Sequence, residues 1–128
     1  MKILFDTDVL IDHLRGHSSA TNTLNTLKET HSFSISSITY AEIEAGVKDK
    51  ERALVEKFLS FFEVFPVTLL IAKKAGQYKS TYGRSHHVLL PDALIAATAY
   101  CENIPLYTLN QKHYPMTDIQ TVVPYQKS

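Results

Sequence analysis

The run Ala93-Leu94-Ile95-Ala96-Ala97-Thr98-Ala99 limits this chain's folding choices more than any other stretch. It is small or apolar on nearly every side at helical spacing, so it has no polar face to give to water and predicts the most buried helix. Pro91 suits the first turn of that helix, and Asp92 is its polar head. Such a helix needs structure packed around it. Short apolar runs supply it, with strands expected at Lys2–Phe5, Phe33–Ser36, Val64–Val67, Leu106–Leu109 and Thr121–Val123. Between them, Val9, Leu10, His13 and Leu14 keep helical spacing up to Gly16. A second helix, capped by Ser18 or Ser19, would turn Leu24, Leu27 and His31 inward. Ser37 or Thr39 opens a helix running to Gly46, and residues 50–62 form another, amphipathic one. Ile71, Ala75, Tyr78 and Tyr82 share the face of a helix ending near Gly83. Strands alternating with helices predict an α/β fold with a mainly parallel central sheet flanked by helices. Without repeats or linkers, residues 1–128 are expected to form one domain.

Composition narrows the class of protein. The chain has 128 residues, 45% hydrophobic and 20% charged, which is ordinary for a globular domain with one real core. No apolar run approaches the roughly 18 residues of a membrane span, so no membrane association is expected. The N-terminus turns acidic at Asp6, too early for a secretory signal. Cys101 is the only cysteine, which excludes an intrachain disulfide and a cysteine-rich zinc site and fits a cytoplasmic setting. Lys+Arg and Asp+Glu both count 13, so any grip on nucleic acid has to come from a local patch.

Chemistry in an open parallel sheet gathers beyond the carboxyl ends of its strands. Asp6 follows the first strand there, although an acid at that place also reads as a helix N-cap. Asp8 reads first as an acid of the first helical turn, with a metal role as the alternative. Asp92 heads a buried helix and would be pinned between core and crevice. Glu42 and Glu44 lie close together on one helix, and the residues alone do not separate them. Lys73, Lys74, Lys79 and Arg84 form one basic group, and Lys48, Lys50 and Arg52 another; both read first as solvated faces. Arg84, His86 and His87, just ahead of Asp92, are better placed for substrate.

Four stretches together carry a resemblance. Ile3-Leu4-Phe5-Asp6-Thr7-Asp8-Val9-Leu10-Ile11 resembles the opening of PIN-domain nucleases, and Ser36–Gly46 resembles their second block. The second block selects Glu42 over Glu44 by its distance from Gly46. Leu90–Ala99 is the most specific match, and Leu106–Tyr114 resembles the fourth block. The small size resembles VapC-type toxins of bacterial toxin–antitoxin pairs. The resemblance implies an endoribonuclease leaving a 5′-phosphate and a 3′-hydroxyl, with Asp6, Glu42, Asp92 and Asn110 catalytic. It implies Mg²⁺, with Mn²⁺ as a substitute, on Asp6, Glu42 and Asp92, and substrate contacts from Thr7, Thr39, Arg84 and Thr108. The implied partners are RNA, a cognate antitoxin protein and a second copy of the chain. In the fourth block most relatives carry another acid, whereas this chain has Asn110 and His113, so a single metal is expected. Asn110 would offer a neutral carbonyl or hold a metal-bound water. His113 suits a hard cation poorly and reads as a partly buried histidine at a helix end.

Two other readings compete. Asp6-Thr7-Asp8 also resembles the start of haloacid-dehalogenase-type phosphatases, but the later acidic pair of that family is missing. A PIN module that binds RNA or a partner without cutting is the other.

Overall fold

A computed structural model describes residues 1–127. Its elements, in chain order, are β1 (Lys2–Phe5), α1 (Thr7–Leu14), α2 (Ser18–Leu27), β2 (Ser32–Ser36), α3 (Ser37–Gly46), α4 (Arg52–Leu59), β3 (Glu63–Phe65), α5 (Leu69–Tyr82), α6 (Leu90–Glu102), β4 (Leu106–Tyr107) and β5 (Thr121–Val122). The five strands pair in the order β3-β2-β1-β4-β5, and every pairing is parallel. The expected α/β architecture is present, with a wholly parallel sheet.

β1 is the centre of this sheet because it is apolar on both faces. Ile3 and Phe5 enter one core with Val9, Leu10, Ile35 and Leu59. Leu4 points the other way, into a core built from α5, α6, Leu106 and Tyr114. A strand buried on both faces reads as a continuous hydrophobic run rather than an alternation. The all-round apolar helix is α6, where Ala93, Ile95, Ala96, Ala97, Thr98 and Ala99 are all buried. Its alanines let α5 approach closely through Ile71, Ala75 and Tyr78. Thr98 satisfies its hydroxyl within the helix by donating to Leu94 O at 2.8 Å.

Helix ends follow local chemistry. Ser36 Oγ accepts from Ile38 N and caps α3, and Thr68 Oγ1 accepts from Ile71 N at the start of α5. Gly16, at φ 81°, supplies the left-handed turn after α1 that other residues adopt at a cost. Several expectations are corrected. The residue capping α2 is His17, without a side-chain bond, so neither Ser18 nor Ser19 does this. His31 is only partly buried, and its ring bonds the neighbouring Thr30 hydroxyl. The helix expected over residues 50–62 starts at Arg52 after a short 3-10 turn at Asp49–Glu51 and stops at Leu59. β3 ends at Phe65 because Pro66 has no N–H to continue a ladder. β4 and β5 shrink to two residues each. Past β5 the tail returns to α1, where Tyr125 and Lys127 both donate to the buried Asp12. Among the described residues no helix is long and apolar enough to cross a membrane.

Tight packing around α6 gives a direct test. Ala96 is fully buried, so Ala96→Leu should overpack the helix and lower stability by about 1–3 kcal/mol. Urea unfolding with an unchanged midpoint would contradict this packing.

Candidate active site

The chain runs outward from β1 through β2 to β3, then returns to lay β4 on the other side of β1. Strand order therefore reverses between β1 and β4, the switch point where parallel sheets open a crevice. Asp6 leaves β1 and Thr108 leaves β4 at that point. Their backbones are tied there, with Asp6 N donating to Tyr107 O at 2.9 Å.

Asp6 caps α1 with one carboxylate oxygen and turns the other into the crevice. Its Oδ1 accepts from Thr7 N at 2.8 Å and caps α1. Its Oδ2 accepts from Thr108 Oγ1 at 2.8 Å and Tyr114 OH at 2.9 Å. The Tyr114 hydroxyl also lies 3.4 Å from Asp92 Oδ1, so one phenol bridges the end of β1 and the head of α6. From α3, Glu42 Oε1 takes the Thr7 hydroxyl at 2.7 Å, and Thr39 Oγ1 lies 3.0 Å behind it. Glu44 instead pairs with Arg52, so the geometry separates the two glutamates. Asp8 Oδ2 accepts from Leu109 N at 3.1 Å and Asn110 Nδ2 at 2.9 Å.

Burial and mutual repulsion mark this crevice electrostatically. Asp8 is lifted from the ordinary 3.8 to about 7, first by burial and then by the charge on Asp6. Asp92 is raised by the same two causes, in the same order. The Tyr114 phenol is pushed well up by burial and by the carboxylates around it, so it stays a donor. Elsewhere the chain gives its acids cationic partners: Asp12 has Lys127, Asp118 has Lys74 and Glu44 has Arg52. Among the described residues, neither lysine nor arginine pairs with Asp6, Asp8, Glu42 or Asp92; His113 Nδ1 comes within 3.5 Å of Asp92 Oδ2. Neutral threonines and a tyrosine hold these acids in place without cancelling their charge. Such a donor set suits a hard divalent cation bound through oxygen. The acids are spread around their donors, and no three His, Cys, Asp or Glu side chains among the described residues are gathered into a ready cage.

Several site expectations meet a different geometry. Thr39 and Thr108 are fully buried, so they stand behind the acids rather than facing substrate. Thr7 is buried too and orients Glu42. Asn110 turns its amide N–H₂ to Asp8. His113 is exposed rather than partly buried. Arg84 is exposed in the loop ahead of α6, as are His86 and His87. The first basic group is dispersed: Lys74 serves Asp118 and lies over the Tyr78 and Tyr100 rings, and Lys79 donates to Val88 O. Tyr78, as expected, is a core residue, and its hydroxyl donates to Asp118. Tyr114 was missed as a bridging residue. Its only signal is that a buried tyrosine needs a partner for its hydroxyl.

Sheet order, crevice and acidic blocks together define the class. Residues 3–117 match the PIN domain family, and the chain belongs to it. This overturns the phosphatase alternative. Within the family, the chain is 43% identical over 115 residues to Ribonuclease VapC10 of Mycobacterium tuberculosis, covering 89% of this chain and 86% of that protein. Among solved structures, a toxin-antitoxin complex from Klebsiella pneumoniae is similar, with a TM-score of 0.82, 29% identity and coverage of 98% and 99% of the two chains. VapBC2 from Rickettsia felis, bound to a DNA fragment from its promoter, matches with a TM-score of 0.82, 25% identity and coverage of 95% and 98%.

The raised carboxyl groups predict an unusual pH response. A group whose pKa is higher folded than unfolded favours the folded state at low pH and loses that contribution as pH rises through the folded value. Metal-free protein in chelator should therefore lose stability between about pH 4 and pH 7. Asp8→Asn should flatten that slope. Thermal midpoints that rise across this window in wild type would contradict the crowding of charge.

Proposed function

We propose that this chain is a divalent-metal-dependent endoribonuclease and the toxin of a VapBC-type toxin–antitoxin pair, acting as one domain in the cytoplasm. The observation that carries the reading is the set of acids gathered at the switch point with no lysine or arginine paired to them among the described residues. It is supported by family membership and by relatives named as ribonucleases.

In this reading Asp6, Glu42 and Asp92 would hold the ion, Mg²⁺ with Mn²⁺ as a substitute. A divalent ion there would neutralise the carboxylates, activate water for attack and stabilise charge developing on the phosphoryl oxygens. The chain's own residues set the geometry. Tyr114 OH meets both Asp6 and Asp92, Thr108 fixes the second oxygen of Asp6, and Thr7 aims Glu42. Arg84, ahead of the Asp92 helix, is the proposed contact to the RNA backbone. Products would carry a 5′-phosphate and a 3′-hydroxyl.

The antitoxin would lie in a groove of about 680 Å³ between α1, α3 and α4. Ile11, Leu14, Ile43, Val47, Leu54 and Phe58 line it, and Glu42 stands among them. An amphipathic segment seated on that apolar wall would bring a basic side chain to the unpaired acids and block them. A homodimer belongs to the same proposal, with exposed Leu69 and Leu70 on α5 the apolar surface available for it.

A PIN module that binds without cutting is the second reading, favoured by the spread of the acids, none of which form a ready cage among the described residues. Induced expression with mapping of cellular RNA 5′ ends separates the two. New 5′ ends with wild type that vanish with Asp6→Asn, Glu42→Gln and Asp92→Asn support cleavage. Identical 5′ ends from wild type and Asp6→Asn would refute it. Tyr114→Phe and Thr7→Val, which disturb only the supports, should each slow cleavage of purified RNA by roughly 10–100-fold. Unchanged rates in both would show that the supports do not matter.

A further inference from the structure

Asp8 has a setting that an ordinary first-turn acid does not need. Its Oδ2 holds Leu109 N and Asn110 Nδ2, both in the loop that follows β4. Its Oδ1 is buried without a hydrogen-bond partner. The same loop carries Thr108, whose Oγ1 accepts from Asn110 N at 3.0 Å and donates to Asp6 Oδ2 at 2.8 Å. Thr108 Oγ1 also lies 3.5 Å from Asp8 Oδ2. Asp6 and Asp8 are thus joined through three consecutive residues from the far end of the chain. An acid serving only its own helix terminus has no reason to hold that loop.

From this geometry we propose that Asp8, gripped by Asn110, is a further positioning residue of the acidic site. It keeps the Thr108–Asn110 loop docked so that Thr108 stays on Asp6, and it adds one negative charge behind Asp6 that strengthens the hold on a divalent ion. Asp8 and Asn110 form one unit, a carboxylate and a carboxamide of the same shape facing each other across 2.9 Å. Either member can carry the charge, provided the other donates to it. This inference rests on the ribonuclease reading above.

The test exchanges the two side chains in the full-length protein, with Asp8→Asn, Asn110→Asp and the double exchange. Mn²⁺ affinity is read by calorimetry, RNA cleavage by kcat and KM, and folding by thermal midpoint in chelator. Asp8→Asn should bind Mn²⁺ roughly 10–100-fold more weakly and lose kcat rather than raise KM. Its midpoint in chelator should be no lower than wild type, because a repelling charge has gone. Asn110→Asp sets two carboxylates face to face and should lower the midpoint in chelator, with recovery on adding Mn²⁺. The double exchange restores one charge and one donor, so it should regain Mn²⁺ affinity and kcat to within a few-fold of wild type. Wild-type Mn²⁺ affinity in Asp8→Asn, or a double variant no better than the single one, would overturn the proposal. If wild type and Asp6→Asn bind Mn²⁺ alike and neither cuts RNA, the ribonuclease reading itself fails.

Discussion

Crowded negative charge at the carboxyl ends of β1 and β4 is the constraint that shapes the rest of this molecule. Carboxylates placed near one another and away from water resist ionisation, and Asp8 and Asp92 both show it. The chain does not relieve that repulsion with lysine or arginine, as it does for Asp12, Asp118 and Glu44. It fixes the acids with hydroxyls from Thr7, Thr108 and Tyr114. Hydroxyls orient a carboxylate and leave its charge available. A cation, or a basic side chain from a partner, then has something to bind.

The fold builds that place from its two cores. β1 can sit at the centre of the sheet because Ile3, Leu4 and Phe5 are buried on both faces. α6 can press against α5 and the sheet because its inner surface is mostly alanine. Those packings decide where the acids go. Asp6 emerges from a strand buried on both faces and paired on both edges, and Asp92 heads the most buried helix. α3 crosses between them, touching both α1 and α6, and brings Glu42 alongside. Rigidity from the core is what lets repelling groups stay close.

Much of this was legible in the residues, and the exceptions have physical causes. The apolar faces of β1 and α6 announce burial directly, so the α/β architecture and the helix after Pro91 follow from periodicity. Capping and a place in the crevice looked like rival readings of Asp6, yet one oxygen caps α1 while the other meets Thr108 and Tyr114. The residues alone did not separate Glu42 from Glu44; the family resemblance chose Glu42, and the physical difference lies in their partners, Thr7 and Arg52, which no local pattern contains. The same limit hid Tyr114 and the grip of Asp8 on Asn110, each of which joins residues distant in the chain. The threonines expected at the substrate are buried beside the acids. Their type fits substrate contact as well as support, and only burial distinguishes the two.

The central claim is that Asp6, Glu42 and Asp92 are held apart by neutral donors in order to share one divalent ion. Anomalous diffraction from crystals grown with Mn²⁺ tests this most directly. The account predicts one strong peak bounded by carboxylate oxygens of those three residues, at metal–oxygen distances of about 2.0–2.2 Å, near the Mg²⁺ range. Crystals in which manganese binds elsewhere, with no peak among these acids, would contradict it.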